Sequence, residues 1–409
     1  MQTNLTSRAQ LMPRATEGES ILRSCVHCGF CNATCPTYQL TGDELDGPRG
    51  RIYLIKQMLE GVEVTKTTQT HLDRCLTCCN CETTCPSGVR YHSLLDIGRE
   101  ELAKRVARTV RERVLRGTLR TLMTRPALFA FLLRIGRFFR PLLPTLIRDQ
   151  VPARPATSGK RPVAIQARKL LMLEGCVQPS LSPNTNAATA RVLDRLGLQV
   201  LRAPAKVRCC GAVDYHLDAQ ARGLQHARRN IDAWWPAIES GCEAIVQTAS
   251  GCGAFVKEYG HLLEADPAYA AKAKKVSQLA LDLVELLRRE PLERLRITGV
   301  GNQTLACHCP CTLQHAQKLG GAVEDVLRRL GFPLTAVPEA HLCCGSAGTY
   351  SITQPELSKQ LRDSKLAALQ SGDPSQIVTA NIGCQVHLGA AAKVPVRHWI
   401  EIIDQAMQA

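Results

Sequence analysis

The 409-residue chain predicts an α+β multi-domain protein, with a helical, thiol-rich N-terminal module followed by a duplicated pair of α/β units. Three observations carry this. Two nearly identical runs, Cys25-x-x-Cys28-x-x-Cys31-x-x-x-Cys35-Pro36 and Cys75-x-x-Cys78-x-x-Cys81-x-x-x-Cys85-Pro86, occupy the first hundred residues. Val192 to Gly211 aligns without gaps on Val326 to Gly345 with nine identities in twenty positions, which marks an internal duplication. Within each copy, short apolar strands such as Leu170 to Leu173 or Ala244 to Gln247 alternate with helices such as Ala187 to Leu196, the pattern of a small parallel sheet. The resulting boundaries are 1–100 for the thiol-rich module, 101–150 for a basic helical segment, 151–164 for a linker, and 165–290 and 291–409 for the two repeats.

Three thiolates at three-residue intervals can wrap one iron–sulfur cubane on a tight loop. The fourth cysteine, followed by a helix-resetting proline, points away and reaches the neighbouring cluster. The runs therefore predict two [4Fe-4S] clusters with crossed ligation: Cys25, Cys28, Cys31 and Cys85 on one, and Cys75, Cys78, Cys81 and Cys35 on the other. Zinc sites pair CxxC knuckles and have no use for a third cysteine in the same turn plus Cys-Pro. Between the runs, Gly47 to Gly61 reads as a turn, a helix with Ile52, Ile55, Met58 and Leu59 on its apolar face, and a glycine stop. An insert of that length suits an α-helical ferredoxin rather than a compact hairpin-built one. Arg49 and Arg51 at its start either offset cluster charge or are ordinary solvated residues. Cys79 has the wrong spacing to ligate and reads as a buried spectator thiol.

Twenty cysteines in a chain this long are not needed as staples. Met1 to Ser20 is polar, without an apolar run resembling a signal peptide, so a reducing compartment and metal-bound thiols are expected. The net charge of +15 is concentrated between Arg105 and Arg148, where eleven arginines face only Glu112, a net of +10. Phe129, Phe131, Phe138 and Phe139 fall there among leucines at helical spacing, with breaks at Pro126, Pro141 and Pro144. No apolar run approaches the roughly 20 residues a span requires. The segment either lies on an anionic membrane surface or docks on this protein's own core or a partner subunit. Its proline breaks and leucine-rich faces suit docking better than a stacking platform for nucleic acid. Pro152, Pro155, Ser158, Gly159 and Pro162 mark the linker.

The string His71-Leu72-Asp73-Arg74-Cys75-Leu76-Thr77-Cys78, then Cys81-Glu82-Thr83-Thr84-Cys85-Pro86-Ser87-Gly88-Val89, with the Gly-Pro-Arg-Gly-Arg helix start, resembles the iron–sulfur subunits of bacterial glycolate oxidases (glycolate dehydrogenases). The wider family serves anaerobic glycerol-3-phosphate dehydrogenase and heterodisulfide reductase. The resemblance implies an electron-transfer subunit in a complex whose flavin-binding catalytic subunits oxidise glycolate to glyoxylate. This subunit would pass electrons toward a membrane quinone or another acceptor, from the cytoplasmic face of the inner membrane. No G-x-G-x-x-G lies between a strand and a helix, so the flavin is expected on another chain. The alternatives are a subunit serving lactate or glycerol 3-phosphate, or, in another class, a zinc or thiol binding protein with a basic arm.

In the second half, 32 residues separate Cys176 from Cys209-Cys210-Gly211 and 31 separate Cys311 from Cys343-Cys344-Gly345. Loops at the carboxyl ends of parallel strands converge, which would bring Cys176, Cys209, Cys210 and Cys252 together in one copy and Cys311, Cys343, Cys344 and Cys384 in the other. These repeats resemble the cysteine-rich domain of the heterodisulfide reductase family, whose loops carry iron–sulfur clusters. The final CxxC of that family is here Ala249-Ser250-Gly251-Cys252 and Asn381-Ile382-Gly383-Cys384, one thiol short per copy. Cys307 and Cys309 beside His308 could compensate in the second copy only. The repeats thus bind a further cluster in at least one copy, hold zinc, or are degenerate. His308, His315 and His341 near these loops are ligands, proton carriers, or residues that only hydrogen-bond around a site.

Overall fold

The computed structural model describes residues 1–142, 157–202, 204, 206, 207, 209–301 and 303–408. The expected break at Pro144, the Arg148 end of the basic segment and residues 151–156 of the linker lie outside the described residues.

The regular elements of the first hundred residues are all helices, joined by the loops that carry the cysteine runs. Helices Ala15–Ser24, Pro48–Leu59, Lys66–Asp73 and Tyr91–Arg105 close around Leu22, Ile52, Ile55, Met58, Leu72, Leu94, Leu95 and Leu102. Pro48 opens the inserted helix at its first turn, where a missing N–H costs nothing. The two cysteine runs share one backbone course: His27 and Gly29 in the first, and Thr77 and Cys79 in the second, all adopt positive φ. Cys79 thus stands where the first run has glycine, a conformation that costs an L-residue about 1–2 kcal/mol and is held by the surrounding packing.

A capping box between Thr109 and Glu112 starts helix Val110–Met123. Its arginines are partly spent inside the protein. Arg108 reaches Asp73 at 2.6 Å and Asp218 at 2.5 Å, and Arg116 reaches the same two carboxylates at 3.2 and 3.1 Å, tying the helical module to the C-terminal half. Helix Pro126–Phe139 has no buried residue; Phe131 and Phe138 are 58% and 77% exposed.

The C-terminal half contains two parallel sheets. Strands β1 (Arg168–Leu173), β2 (Leu198–Leu201), β3 (Ala244–Gln247) and β4 (Ala280–Asp282) form the first in the order β2-β1-β3-β4; β5 (Leu305–His308), β6 (Gln376–Thr379) and β7 (Val396–His398) form the second in the order β5-β6-β7. A parallel bridge from Leu305 to Leu334 lies on the open side of β5, where β2 lies beside β1 in the first sheet. The duplication seen in the sequence is therefore a duplicated topology. The two sheets also share a core. Helix Pro183–Arg195 of the first repeat packs against helix Trp399–Gln408, which follows β7, while helix Leu283–Arg288, which follows β4, packs against helix Ala322–Arg329. Each repeat thus covers the other, and Leu170, Val192, Leu283, Leu327 and Trp399 belong to one continuous apolar interior.

The Cys-Cys-Gly loops have a steric reason for their glycine. Gly211 and Gly345 have φ of +104° and +83°, and a Cβ on Gly345 would sit 2.6 Å from the Ser358 carbonyl oxygen. Gly331 shares the left-handed conformation but has open space around it. Gly331→Ala should therefore cost about 1–2 kcal/mol of unfolding free energy from conformation alone. Gly345→Ala should cost at least about 1 kcal/mol more, because helix Pro355–Gln370 must retreat. Denaturant unfolding of the two variants side by side checks the difference.

Candidate metal centres

Cys25, Cys28, Cys31 and Cys85 line one pocket of the helical module, together with Arg49, Ile52 and Tyr91. Cys28 is exposed and Cys25 buried. Cys35, Cys75, Cys78 and Cys81 lie deeper, all buried; Cys78 is an electrostatic neighbour of Cys35 and Cys75, and Cys81 of Cys78 and Cys75. Cys81 also borders the first pocket, so the two groups abut. The proline-terminated cysteines have changed places: Cys85 of the second run faces the first group and Cys35 of the first run faces the second. None of the twenty cysteines forms a disulfide.

The donor chemistry suits iron–sulfur clusters. Burial pushes the Cys31 thiol up to about 11 and those of Cys78 and Cys81 well above the ordinary value, so ligation must displace protons and the resulting thiolates need nearby positive charge. Arg51 supplies it. The side chain is 1% exposed, donates from Nε to the His71 carbonyl at 2.7 Å and through its terminal nitrogens to Thr37 Oγ1 at 3.2 Å. Burial opposes its charge, but Cys75, Tyr91, Cys35 and Asp46 outweigh that and hold it protonated. Asp46, fully buried, is met by Arg74 and His71 at 2.8 Å and by Arg51 at 3.6 Å. The sulfurs also receive hydrogen bonds: Thr77 N–H to Cys75 Sγ at 3.4 Å and Tyr91 O–H to the same sulfur at 3.6 Å. Of the two arginines singled out in the sequence, Arg51 is thus interior, while Arg49 pairs with Glu44 at 2.6 Å near the surface.

The eight cysteines of the repeats gather as two sets. In the first, Cys176 touches Cys209, Cys209 touches Cys210, and Cys210 touches Cys252; in the second, Cys311, Cys343, Cys344 and Cys384 form the same chain, with Cys311 Sγ 3.8 Å from Cys343 Sγ. Mutual hydrogen bonding and burial push Cys176 and Cys311 well up. The N–H groups of Gly211 and Gly345 donate to Cys209 and Cys343 at 3.4 Å. Cys307 and Cys309 do not join the second set; both pack into the shared apolar core, because alternation along β5 turns Cys307 away from the side that carries Ala306. His308 does join it: a ring nitrogen and the sulfurs of Cys344 and Cys384 fall within 4.8 Å of one another. Burial pushes its imidazole down to about 3, so it is neutral. His315 instead has Nδ1 3.1 Å from Thr83 Oγ1 and donates from Nε2 to the His341 carbonyl at 3.0 Å, and His341 is half-exposed beside Glu339.

The second cysteine run seats on the second repeat. Leu76, Cys78, Cys343, Tyr350 and Leu361 form one buried group with Cys311 against it. Asn80 Nδ2 donates to the His341 carbonyl at 3.4 Å and Tyr350 O–H to the Arg74 carbonyl at 3.1 Å. The deeper thiol group of the helical module therefore adjoins the thiol set of the second repeat. A separate bridge reaches the first repeat, where His92 lies between Glu82 at 2.8 Å and Glu258 at 3.2 Å.

The arrangement defines a two-cluster ferredoxin-type module mounted on a duplicated cysteine-rich domain, an iron–sulfur electron carrier. A 4Fe-4S dicluster domain model matches residues 21–89, and a cysteine-rich domain model matches residues 170–257 and 305–389. The chain is 65% identical over 408 residues to the "Glycolate oxidase iron-sulfur subunit" of Escherichia coli (strain K12), spanning the full length of both. It is 29% identical to the "Probable glycolate oxidase iron-sulfur subunit" of Bacillus subtilis (strain 168), covering 96% of this chain and 95% of that one. It is 27% identical to "Lactate utilization protein A" of Bacillus velezensis, over 58% of this chain and 99% of that one. The chain belongs to the family of glycolate oxidase iron–sulfur subunits.

The His92 bridge gives a pH signature. Burial opposes the imidazolium, but hydrogen bonds to Glu258 and Glu82 outweigh it and raise its pKa from 6.5 to about 11. The stabilisation is therefore whole below the unfolded value, shrinks as pH rises above 6.5, and is gone above about 11. The melting temperature of His92→Gln should lie below wild type by on the order of 1–3 °C at pH 6, with the gap closing toward pH 11. A gap that vanishes already at pH 7 would contradict the raised value.

Proposed function

We propose that this chain is the electron-relay subunit of a glycolate-oxidising complex. In this reading Cys25, Cys28, Cys31 and Cys85 hold one [4Fe-4S] cluster, and Cys75, Cys78, Cys81 and Cys35 the other. Electrons arrive from separate flavin-binding subunits that oxidise glycolate to glyoxylate, and leave for a quinone at the cytoplasmic face of the inner membrane. The observation that carries the reading is the ordering of the thiol groups: an exposed one at Cys28, a buried one at Cys78, and beyond it Cys311 of the second repeat. When bound, such clusters take up and release one electron at a time, which a flavin can match by delivering its two electrons singly. The protein's part is to fix their spacing, shield the inner group from water, and set potentials through Arg51 and the hydrogen bonds to sulfur. Val26, Phe30 and Tyr53, exposed around Cys28, fit an apolar contact with the flavin subunit where electrons enter. The full-length likeness to glycolate oxidase subunits favours glycolate over lactate, for which the likeness is partial.

Helix Pro126–Phe139 is the proposed membrane contact. Phe131, Leu132, Ile135, Phe138 and Phe139 are exposed on a helix that also carries Arg134 and Arg137, and no helix among the described residues is long and apolar enough to cross a bilayer.

Two experiments test these readings. In anaerobically purified protein, Cys28→Ser should abolish or reshape the EPR signal of one reduced cluster; two unaltered signals would contradict the ligand assignment. The double variant Phe131→Ser, Phe138→Ser should bind anionic phospholipid vesicles at least about tenfold more weakly while still co-purifying with the flavin subunits. Unchanged vesicle binding with loss of co-purification would make the helix a subunit interface instead.

A further inference from the structure

The two repeats are built alike, yet their thiol sets have different surroundings, and His308 is the sharpest difference. It is 2% exposed at the end of β5, three residues before Cys311; the corresponding residue three before Cys176 is Leu173. Strand alternation aims it, with Ala306, at the side where Cys344 and Cys384 lie, and a ring nitrogen and those two sulfurs fall within 4.8 Å of one another. The ring is fixed at Nδ1. His308 pairs with Thr379 in the register of β5 and β6, and Nδ1 lies 2.9 Å from Thr379 Oγ1. Nε2 has no hydrogen-bond partner among the described residues although it is fully enclosed. In the tautomer whose Nδ1–H donates to Thr379 Oγ1, which the assignment below requires, Nε2 presents a lone pair, the state of a metal-bound histidine. Left without a partner, that enclosed nitrogen would carry an uncompensated desolvation cost on a ring that borders a thiol set.

The surroundings are also charged differently. Lys365, 3% exposed, donates to the carbonyls of Glu339 and Ala340 and has Cys343 and Cys344 as electrostatic neighbours. On the corresponding helix of the first repeat, Gln220–Glu239, the buried polar residue near the cysteines is the neutral Asn230, which donates to the Cys209 carbonyl. A fixed cation beside soft anionic donors favours a centre with net negative charge, as thiolate-ligated iron–sulfur centres have.

We propose that His308 Nε2 is the fifth donor of an iron–sulfur centre in the second repeat, alongside Cys311, Cys343, Cys344 and Cys384, and that the first repeat has no equivalent of it. This rests on reading the chain as an electron relay; it assigns the position next beyond Cys78 to a centre with mixed nitrogen and sulfur ligation. A nitrogen ligand replaces a thiolate's negative charge with a neutral donor and raises the reduction potential, as suits the downstream end of a relay.

The test uses full-length protein purified anaerobically with and without 15N-histidine, as wild type, His308→Leu and His308→Cys. Pulsed EPR of each redox state is combined with iron, sulfide and zinc analysis. Wild type should show a directly bound imidazole nitrogen whose coupling changes on 15N labelling. His308→Leu, which installs the residue native to the first repeat, should lose that coupling and one centre's iron while keeping the two signals of the N-terminal module. His308→Cys should keep the iron and lose the coupling. A wild type without directly bound nitrogen, an unchanged iron count in His308→Leu, or zinc in place of iron in the second repeat would overturn the assignment. Absence of the two N-terminal signals in wild type would instead sink the electron-relay reading, and this assignment with it.

Discussion

The constraint on which the structure depends is the charge of buried thiolates. A thiolate taken out of water without compensation is strongly disfavoured, and here most of the chemically important thiols are enclosed. The fold answers with positive charge and N–H dipoles brought to the sulfurs from defined places. Arg51, at the start of the inserted helix, is driven inward where a helix-start arginine would normally be solvated, and Asp46 with His71 and Arg74 fixes its position. A lone buried arginine would be costly; the network around it makes the charge tolerable and directs it to Cys75 and Cys35. In the repeats, left-handed glycines turn backbone N–H groups onto Cys209 and Cys343.

The same constraint explains how the modules are assembled. Electron transfer through protein needs centres near one another with little water between them, so the interface between the helical module and the second repeat has to be close and dry where Cys78 meets Cys311 and Cys343. That contact is small and apolar, and Tyr350 ties its edge by reaching the Arg74 carbonyl. Separate polar ties fix the helical module to the first repeat, where Arg108 and Arg116 join Asp73 to Asp218 and His92 joins Glu82 to Glu258. Part of the basic segment that dominates the net charge is therefore internal scaffolding. The following helix, Pro126–Phe139, buries no residue and leaves its apolar face to the outside.

Much of this was legible in the sequence because cysteine spacing encodes geometry directly. A three-residue interval fixes which thiols share a loop, and the proline after the fourth fixes where it turns away. The duplication was legible because both copies retain the glycine and leucine positions that a strand, a helix and a left-handed turn require; the second sheet repeats the first down to the bridge at Leu334. What spacing does not encode is side of strand and depth. Cys307 and Cys309 looked like the natural replacements for a missing thiol, but a period of two sends Cys307 into the core, with Cys309 packed there too, and brings His308 to the sulfurs. Arg51 and Arg49, two residues apart on one helix, looked interchangeable, and only packing separates an interior counter-charge from a surface ion pair. The exchange of terminal helices between repeats was likewise beyond reach, since periodicity marks an apolar helix face and not which sheet it covers.

That exchange also ties the two copies to each other. In a duplicated fold whose halves each bury the other's helix, neither half can be lost without exposing the common core around Trp399 and Val192. Both copies therefore contribute to stability, whatever chemistry each carries. The two thiol pockets nevertheless differ: the copy beside Cys78 holds a buried lysine and a histidine whose Nε2 has no hydrogen-bond partner among the described residues, where the other has asparagine and leucine. With His308 assigned as a donor, the pocket beside Cys78 is the one placed to receive the incoming electron, and the first repeat contributes its half of the common core.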